Sequence, residues 1–313
     1  MAKPHDRYFK IFRIYYFINA SLLYSIVFFH RNCPSVVSED MAKDFGKKKS
    51  DLGILSSLFF YPYAILQIFA GMISDVMDPA ILVGVSHIIS SIGGFLCGIS
   101  GNLGENGGFE LAIVGRLLVG LGCGPTYVPI CKIASTWFPS KIYGTMIGLL
   151  MAFGGGGGII AQFPLEKFAE NLGWQTAFFG ISGLGLILSI IMIIFCRGTP
   201  ESRGYEKVNE IESPLNLTIK ERLIILGKSF CIIIREKYFW LCSTHLFFKE
   251  GPYFDISGLW SGPFLKDVII PDDYDFHSKS DINTYSGVCL MAFSFGLIGG
   301  GLTYPIISNK LKT

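Results

Sequence analysis

The residues of this sequence best suited to chemistry are ionisable groups set inside long apolar runs. Arg116 and Lys132 lie in one such run, and His245, Lys249, Glu250 and Asp255 lie in another. A charge at the centre of a lipid-immersed helix costs ~2.5–3.5 kcal/mol on insertion scales, so each of these needs a partner or a task. For Arg116 two tasks are open: holding a substrate carboxylate, or binding backbone carbonyls that knit helices together. Lys132, a little over one turn from the end of its run, either reaches back to the headgroups or faces a solute. The two cations lean toward a solute that bears a carboxylate, such as an organic anion, an amino acid or a short peptide. The second cluster is interrupted by Gly251-Pro252. Proline lacks an amide donor and crowds the preceding turn, so a break in the helix is expected there. Broken helices at membrane depth face protein or a water-filled cavity. His245 and Lys249 share a helix face at i, i+4. The cluster reads as the polar lining of a central cavity, or as an unusually polar span of a decayed homologue. Asn19 and Gln67, deep in their own apolar runs, complete the expected solute-binding set.

Other chemistries find no foothold. The sequence has no HExxH, no GxSxG and no paired intramembrane aspartates, so no enzyme is expected. Gly154 to Gly158 lacks the Lys-Ser/Thr of a phosphate loop, which leaves nucleotide binding without a motif. Its spacing, like that of Gly144-x₃-Gly148, suits close helix packing instead. The eight cysteines include no CxxC pair, so they read as small buried hydrophobes, and neither a metal nor a cofactor is expected. A formal net charge of +2 argues against a nucleic-acid partner.

The elements that must position these groups are transmembrane helices. Half of the 313 residues are hydrophobic and 16% are charged, against about a quarter in a soluble domain. Some 20 apolar residues at 1.5 Å each cross a hydrocarbon core of ~30 Å. Eight stretches qualify, at roughly 11–31, 51–74, 80–101, 108–137, 141–163, 174–196, 238–265 and 282–307. In lipid each segment must satisfy its own backbone, which makes the chain all-α and polytopic. The first run is too long and aromatic for a removable signal and reads as a retained span. A six-helix bundle over 1–196, a polar linker over 197–237 and the start of a second bundle over 238–313 form the expected division. The linker turns amphipathic from Leu217 to Ile234, as a helix lying on the inner membrane surface would. Fifteen Lys and Arg fall on the side of the two termini and the linker. Eight, with Arg31 counted among them, fall opposite. The positive-inside rule therefore places both termini in the cytoplasm, without distinguishing plasma membrane from endomembrane.

Several motifs now acquire a common meaning. Gly71-Met72-Ile73-Ser74-Asp75 ends the second run, and Gly115-Arg116-Leu117-Leu118-Val119-Gly120-Leu121-Gly122 opens the fourth. His30-Arg31-Asn32-Cys33-Pro34-Ser35, Asp44-Phe45-Gly46, Trp137-Phe138-Pro139, Leu172-Gly173-Trp174-Gln175-Thr176-Ala177-Phe178 and Gly258-Leu259-Trp260-Ser261-Gly262-Pro263 follow in order. Together they resemble the major facilitator superfamily, in a bacterial-type subgroup similar to the lysosomal dipeptide transporters. The resemblance implies alternating access, with two six-helix bundles rocking about a solute site near the midplane. It also implies that Gly71 and Asp75 belong to a conformational gate. Two departures stand out. The basic residue that usually follows the aspartate is absent, its place taken by Val76 with Asp78 beyond, so Asp75 is expected to lack a basic partner. The chain also carries eight apolar runs where the family has twelve, so it reads either as a fragment of a longer chain or as a reduced homologue, and a truncated, non-transporting scaffold or partner subunit is the alternative reading.

Overall fold

The computed structural model describes residues 6–209 and 219–255, together with 288, 291–292, 294–296 and 298–303. Among the described residues the regular structure is helical. The helices are α1 (Arg7–Phe45), α2 (Lys49–Val76), α3 (Pro79–Leu103), α4 (Gly108–Cys123), α5 (Tyr127–Trp137), α6 (Tyr143–Ile160), α7 (Phe163–Leu172), α8 (Trp174–Phe195), α9 (Ile219–Arg235) and α10 (Lys237–Asp255). Six segments are long and apolar enough to cross a membrane: Arg7–Pro34, Ser50–Asp75, Pro79–Leu103, Gly108–Trp137, Ser140–Leu172 and Trp174–Phe195. They coincide with the first six expected runs. The seventh run begins in α10, and its remainder lies outside the described residues, as does much of the eighth.

The molecule turns its polarity inside out. Ile65, Ile68, Ile187 and Ile194 are exposed, while Ser86, Ser90, Ser91, Ser182, Ser189, His30 and His87 are buried. In lipid an outward isoleucine loses nothing, whereas a polar group gains by turning toward its neighbours in the bundle. α3 packs on α4 and α8, α1 on α6 and α8, and α2 on α4. Backbones meet without intervening side chains at several glycines, as between Gly93 of α3 and Gly115 of α4. A Cβ on Gly120 of α4 would overlap the carbonyl oxygen of Phe59 in α2, and one on Gly157 of α6 would overlap that of Ser25 in α1. The Gly154–Gly158 run is therefore a packing surface. Gly144, by contrast, faces open space.

Prolines decide where the rods are interrupted, and not always as the spacing predicts. α1 does not stop at residue 31. It passes through Pro34 to Phe45 and ends on Gly46, whose φ of 60° is the left-handed cap that glycine allows. The expected break at Gly251-Pro252 is not there, because α10 runs through both to Asp255. A single missing amide is tolerated there, as it is within α1 and α2. Breaks occur instead between α4 and α5 at Gly124–Thr126, and between α6 and α7 at Ala161–Gln162. Pro125 follows a glycine, and Pro164 sits in the first turn of α7, where its missing amide costs nothing, just after the non-helical Gln162. The first break is bridged by the buried His87, whose Nε2 lies 3.1 Å from the Thr126 hydroxyl.

Both ends of the bundle are tied. At one end the Asp44 carboxylate accepts from Trp174 Nε1 at 2.8 Å and from Gln175 Nε2 at 2.9 Å. At the other, Trp137 packs among Phe9, Phe12 and Tyr16. The chain beyond α8 straps that end. Arg203 donates to the Phe195 carbonyl at 2.6 Å while lying 4.0 Å over Phe12, and Asn209 donates to the carbonyls of Ser135 and Phe138.

Candidate solute site and gate

The site begins with an amide that does not exist. Pro34 has no N–H for the carbonyl four residues back, which belongs to His30. Arg116 takes that oxygen, with Nη1 donating at 2.8 Å. Its guanidinium is 1% exposed and lies 5.2 Å from the centre of the Phe59 ring. The carbonyl-binding task expected for Arg116 is thus built into the fold. Its Nε and Nη2 have no hydrogen-bond partner among the described residues, so the group retains donors for a second task.

Arg31 corrects the count of outer-loop charges. Because α1 continues past it, this residue sits inside the bundle, 4% exposed, with its guanidinium 3.9 Å from the centre of the Phe28 ring. Tyr24 and Tyr63 lie within its electrostatic reach. Tyr24 in turn packs 5.1 Å from Phe28 and 5.7 Å from Tyr127, at the first turn of α5. Arg31 therefore stands at the head of an aromatic cluster drawn from α1, α2 and α5. Among the described residues the buried charged side chains are Arg31, Arg116 and Glu166, so cations outnumber anions. The flanking apolar residues Phe28, Phe29 and Cys33 were the signals that place Arg31 within a helix.

The other expected solute contacts separate. Gln67 is half-buried one turn beyond Tyr63 on the same helix face, and so lies beside the cluster. Asn19 does not. It is 3% exposed at the crossing of α1 and α8, where Nδ2 donates to the Leu188 carbonyl at 3.2 Å and approaches Met192 Sδ at 3.4 Å. That amide is committed to helix packing. His245 is exposed on α10, beside Leu241, Thr244 and Phe248. Lys249, Glu250 and Asp255 belong to the α10 backbone, but their side chains lie outside the described residues.

Lys132, expected as a solute contact or a snorkelling cation, is paired with Asp75 instead. From α5 its Nζ donates to Asp75 Oδ1 at 2.5 Å and to the Ser74 carbonyl at 2.7 Å, in the last turn of α2. The expectation that Asp75 lacks a basic partner is overturned, because the cation arrives from a neighbouring helix instead of the next residue. A cation there also complements the negative end of α2. The side chains are 32% and 39% exposed, so the pair contributes at most about 1 kcal/mol to stability. Gly71 faces Val128 at ordinary contact distance, leaving space for a methyl group. If the pair works as a gate, Asp75→Asn and Lys132→Gln each leave the melting temperature nearly unchanged but slow solute exchange. The double variant is expected to be no slower than either. Additive losses in initial uptake rate would contradict the pairing.

Long apolar helices with buried internal cations define a multi-pass membrane protein of the transporter class. The sequence profile of the Major Facilitator Superfamily matches residues 20–312, and the chain belongs to that family. It is an integral membrane protein of a transport family and not an enzyme. Its relatives include a probable sulfoacetate transporter of Cupriavidus necator, 25% identical over 61% of this chain and 43% of that one. A probable hexose phosphate transport protein of Chlamydia trachomatis is 22% identical over 97% of this chain and 66% of its own length. The hexuronate transporter of Bacillus subtilis is 25% identical over 56% of this chain and 40% of its own. The chain thus spans between 40% and 66% of the length of these three relatives. A bacterial homologue of the human lysosomal transporter Spinster, in an inward-facing and unoccupied conformation, shares the fold with a TM-score of 0.57. It is 17% identical and covers 93% of this chain and 74% of its own.

Proposed function

We propose that the protein moves a small organic anion across a membrane by alternating access, driven by a solute or proton gradient. The observation that carries this reading is the burial of Arg31 and Arg116 at 4% and 1% exposure within an apolar bundle. Burying guanidinium groups is costly, and a bound anion offsets that cost. Arg31, among Phe28, Tyr24 and Tyr63, is the primary anchor for a carboxylate, sulfonate or phosphate. Arg116 supports it with its remaining donors, and Gln67 contributes an uncharged contact. The names of the relatives, which refer to sulfoacetate, hexose phosphate and hexuronate, suit this chemistry. His245, Lys249, Glu250 and Asp255 are the contribution of the second bundle to the cavity, and Gly71, Asp75 and Lys132 form the gate. The excess of Lys and Arg on the linker side supports cytoplasmic termini, more firmly once Arg31 leaves the opposite count.

The test is counterflow in proteoliposomes preloaded with unlabelled solute. Saturable entry of a labelled hexuronate, sugar phosphate or sulfoacetate is expected, with none for a neutral hexose. Equal entry of the neutral sugar, or no counterflow of any organic anion, would remove the reading.

A further inference from the structure

Helix α9 carries no part of the solute site, yet its sequence is strongly patterned. Apolar residues fall at 219, 223, 226, 230, 233 and 234, which is helical spacing along one face. On that face Phe230, Ile233 and Ile234 are 56%, 46% and 38% exposed. A bundle that hides His30 and Arg116 while exposing these side chains is missing an apolar medium on that side of α9. On the opposite face Lys228 and Arg235 are exposed, with Ile224 and Ile232 beside them at 48% and 63% exposure, so exposed apolar surface also reaches the cationic side. From 219 to 237 the sequence holds five Lys and Arg against two Glu. At the junction with α10 the exposed Tyr238 and Trp240 follow directly, and Trp240 Nε1 donates to the Ile234 carbonyl at 2.7 Å. Aromatic residues with a polar edge concentrate where hydrocarbon meets headgroups.

We infer that α9 is a binding surface for anionic phospholipid. Its Phe230–Ile234 face lies in the acyl boundary, and its cations engage the phosphates of acidic lipids. An apolar face alone would fit any greasy partner. The excess of cations at the rim, together with the tyrosine and tryptophan of the junction, favours an acidic bilayer surface. Lysines and arginines on such a helix can lay their stems on hydrocarbon while their heads reach phosphate. The inference concerns the linker and stands whether or not the solute is an anion.

The full chain, with Cys231 and Cys242 replaced by serine, is reconstituted with a spin label at Phe230→Cys or at Lys228→Cys. In vesicles of phosphatidylcholine with phosphatidylglycerol, the label at 230 should be oxygen-accessible and shielded from a water-soluble nickel chelate, and that at 228 the reverse. In phosphatidylcholine alone the shielding at 230 should fall roughly two-fold or more. Replacing Lys220, Lys228 and Arg235 by glutamine should reproduce that loss in acidic vesicles. A label at 230 as open to nickel as that at 228 overturns the proposal. So does shielding indifferent to lipid charge, which would mean that protein, or apolar contact alone, covers the face.

Discussion

Gly157→Val is expected to destabilise the bundle by upward of about 3 kcal/mol and to collapse the yield of monodisperse protein in mild detergent. The reason lies in what a side chain would meet. A Cβ at Gly157 would sit inside the backbone of α1 at Ser25. A flexible side chain in the way could rotate aside; a peptide carbonyl cannot. Relief would require α1 and α6 to separate, which would also break the bond from the Ser25 hydroxyl to the Phe153 carbonyl, 2.7 Å long. Gly120→Val is expected to behave alike, because it meets the Phe59 carbonyl between α4 and α2. Gly180 in α8 provides the contrast. Nothing lies within 4 Å of its would-be Cβ, so Gly180→Ala should be neutral, or stabilising by up to about 1 kcal/mol through helix propensity. Thermal unfolding in one detergent would rank the three. Equal tolerance at 157 and 180 would mean that α1 and α6 do not approach as described.

Arg31→Gln is expected to leave the bundle folded and to remove solute recognition. Deleting one member of a buried charge pair costs roughly 2–5 kcal/mol, a loss in affinity of about thirty- to several-thousand-fold. Arg31→Lys should restore only part of it, because an ammonium cannot present the planar fork that matches a carboxylate or phosphate. Arg116→Gln should fail differently. It strips the His30 carbonyl of its guanidinium donor and leaves only the Cys33 thiol at 3.5 Å, so the melting temperature should fall with the activity. Comparing uptake per folded molecule with the melting temperature separates the two arginines.

Much of this fold was legible in the order of residues. The first six apolar runs became six membrane-spanning segments because hydropathy and length are local properties, and lipid leaves a backbone few alternatives. Gly154 to Gly158 were read as packing surface and are one, whereas Gly144, read the same way, faces open space. What escaped depended on neighbours. Pro34 looks like a stop, so Arg31 was counted among loop charges. The helix continues because Arg116, from a segment far along the chain, takes the freed carbonyl. Lys132 looked like a snorkelling cation or a solute contact until α5 was seen to cross the end of α2, where Asp75 waits. Asn19 promised a cavity lining, but only the rotation of α8 reveals that Leu188 and Met192 occupy it. The breaks at Gly124-Pro125 and before Pro164 could have been read from the prolines. Long hydropathy windows simply run across them.

The central claim is that cations buried in the first bundle exist to hold an anion, with Arg31 foremost. Ligand-induced thermal stabilisation of the purified protein tests it without requiring transport. A hexuronate or sugar phosphate should raise the melting temperature in a saturable way, the matched neutral hexose should not, and Arg31→Gln should abolish the response. A response of equal size to the neutral sugar, or one that survives in Arg31→Gln, would contradict the account.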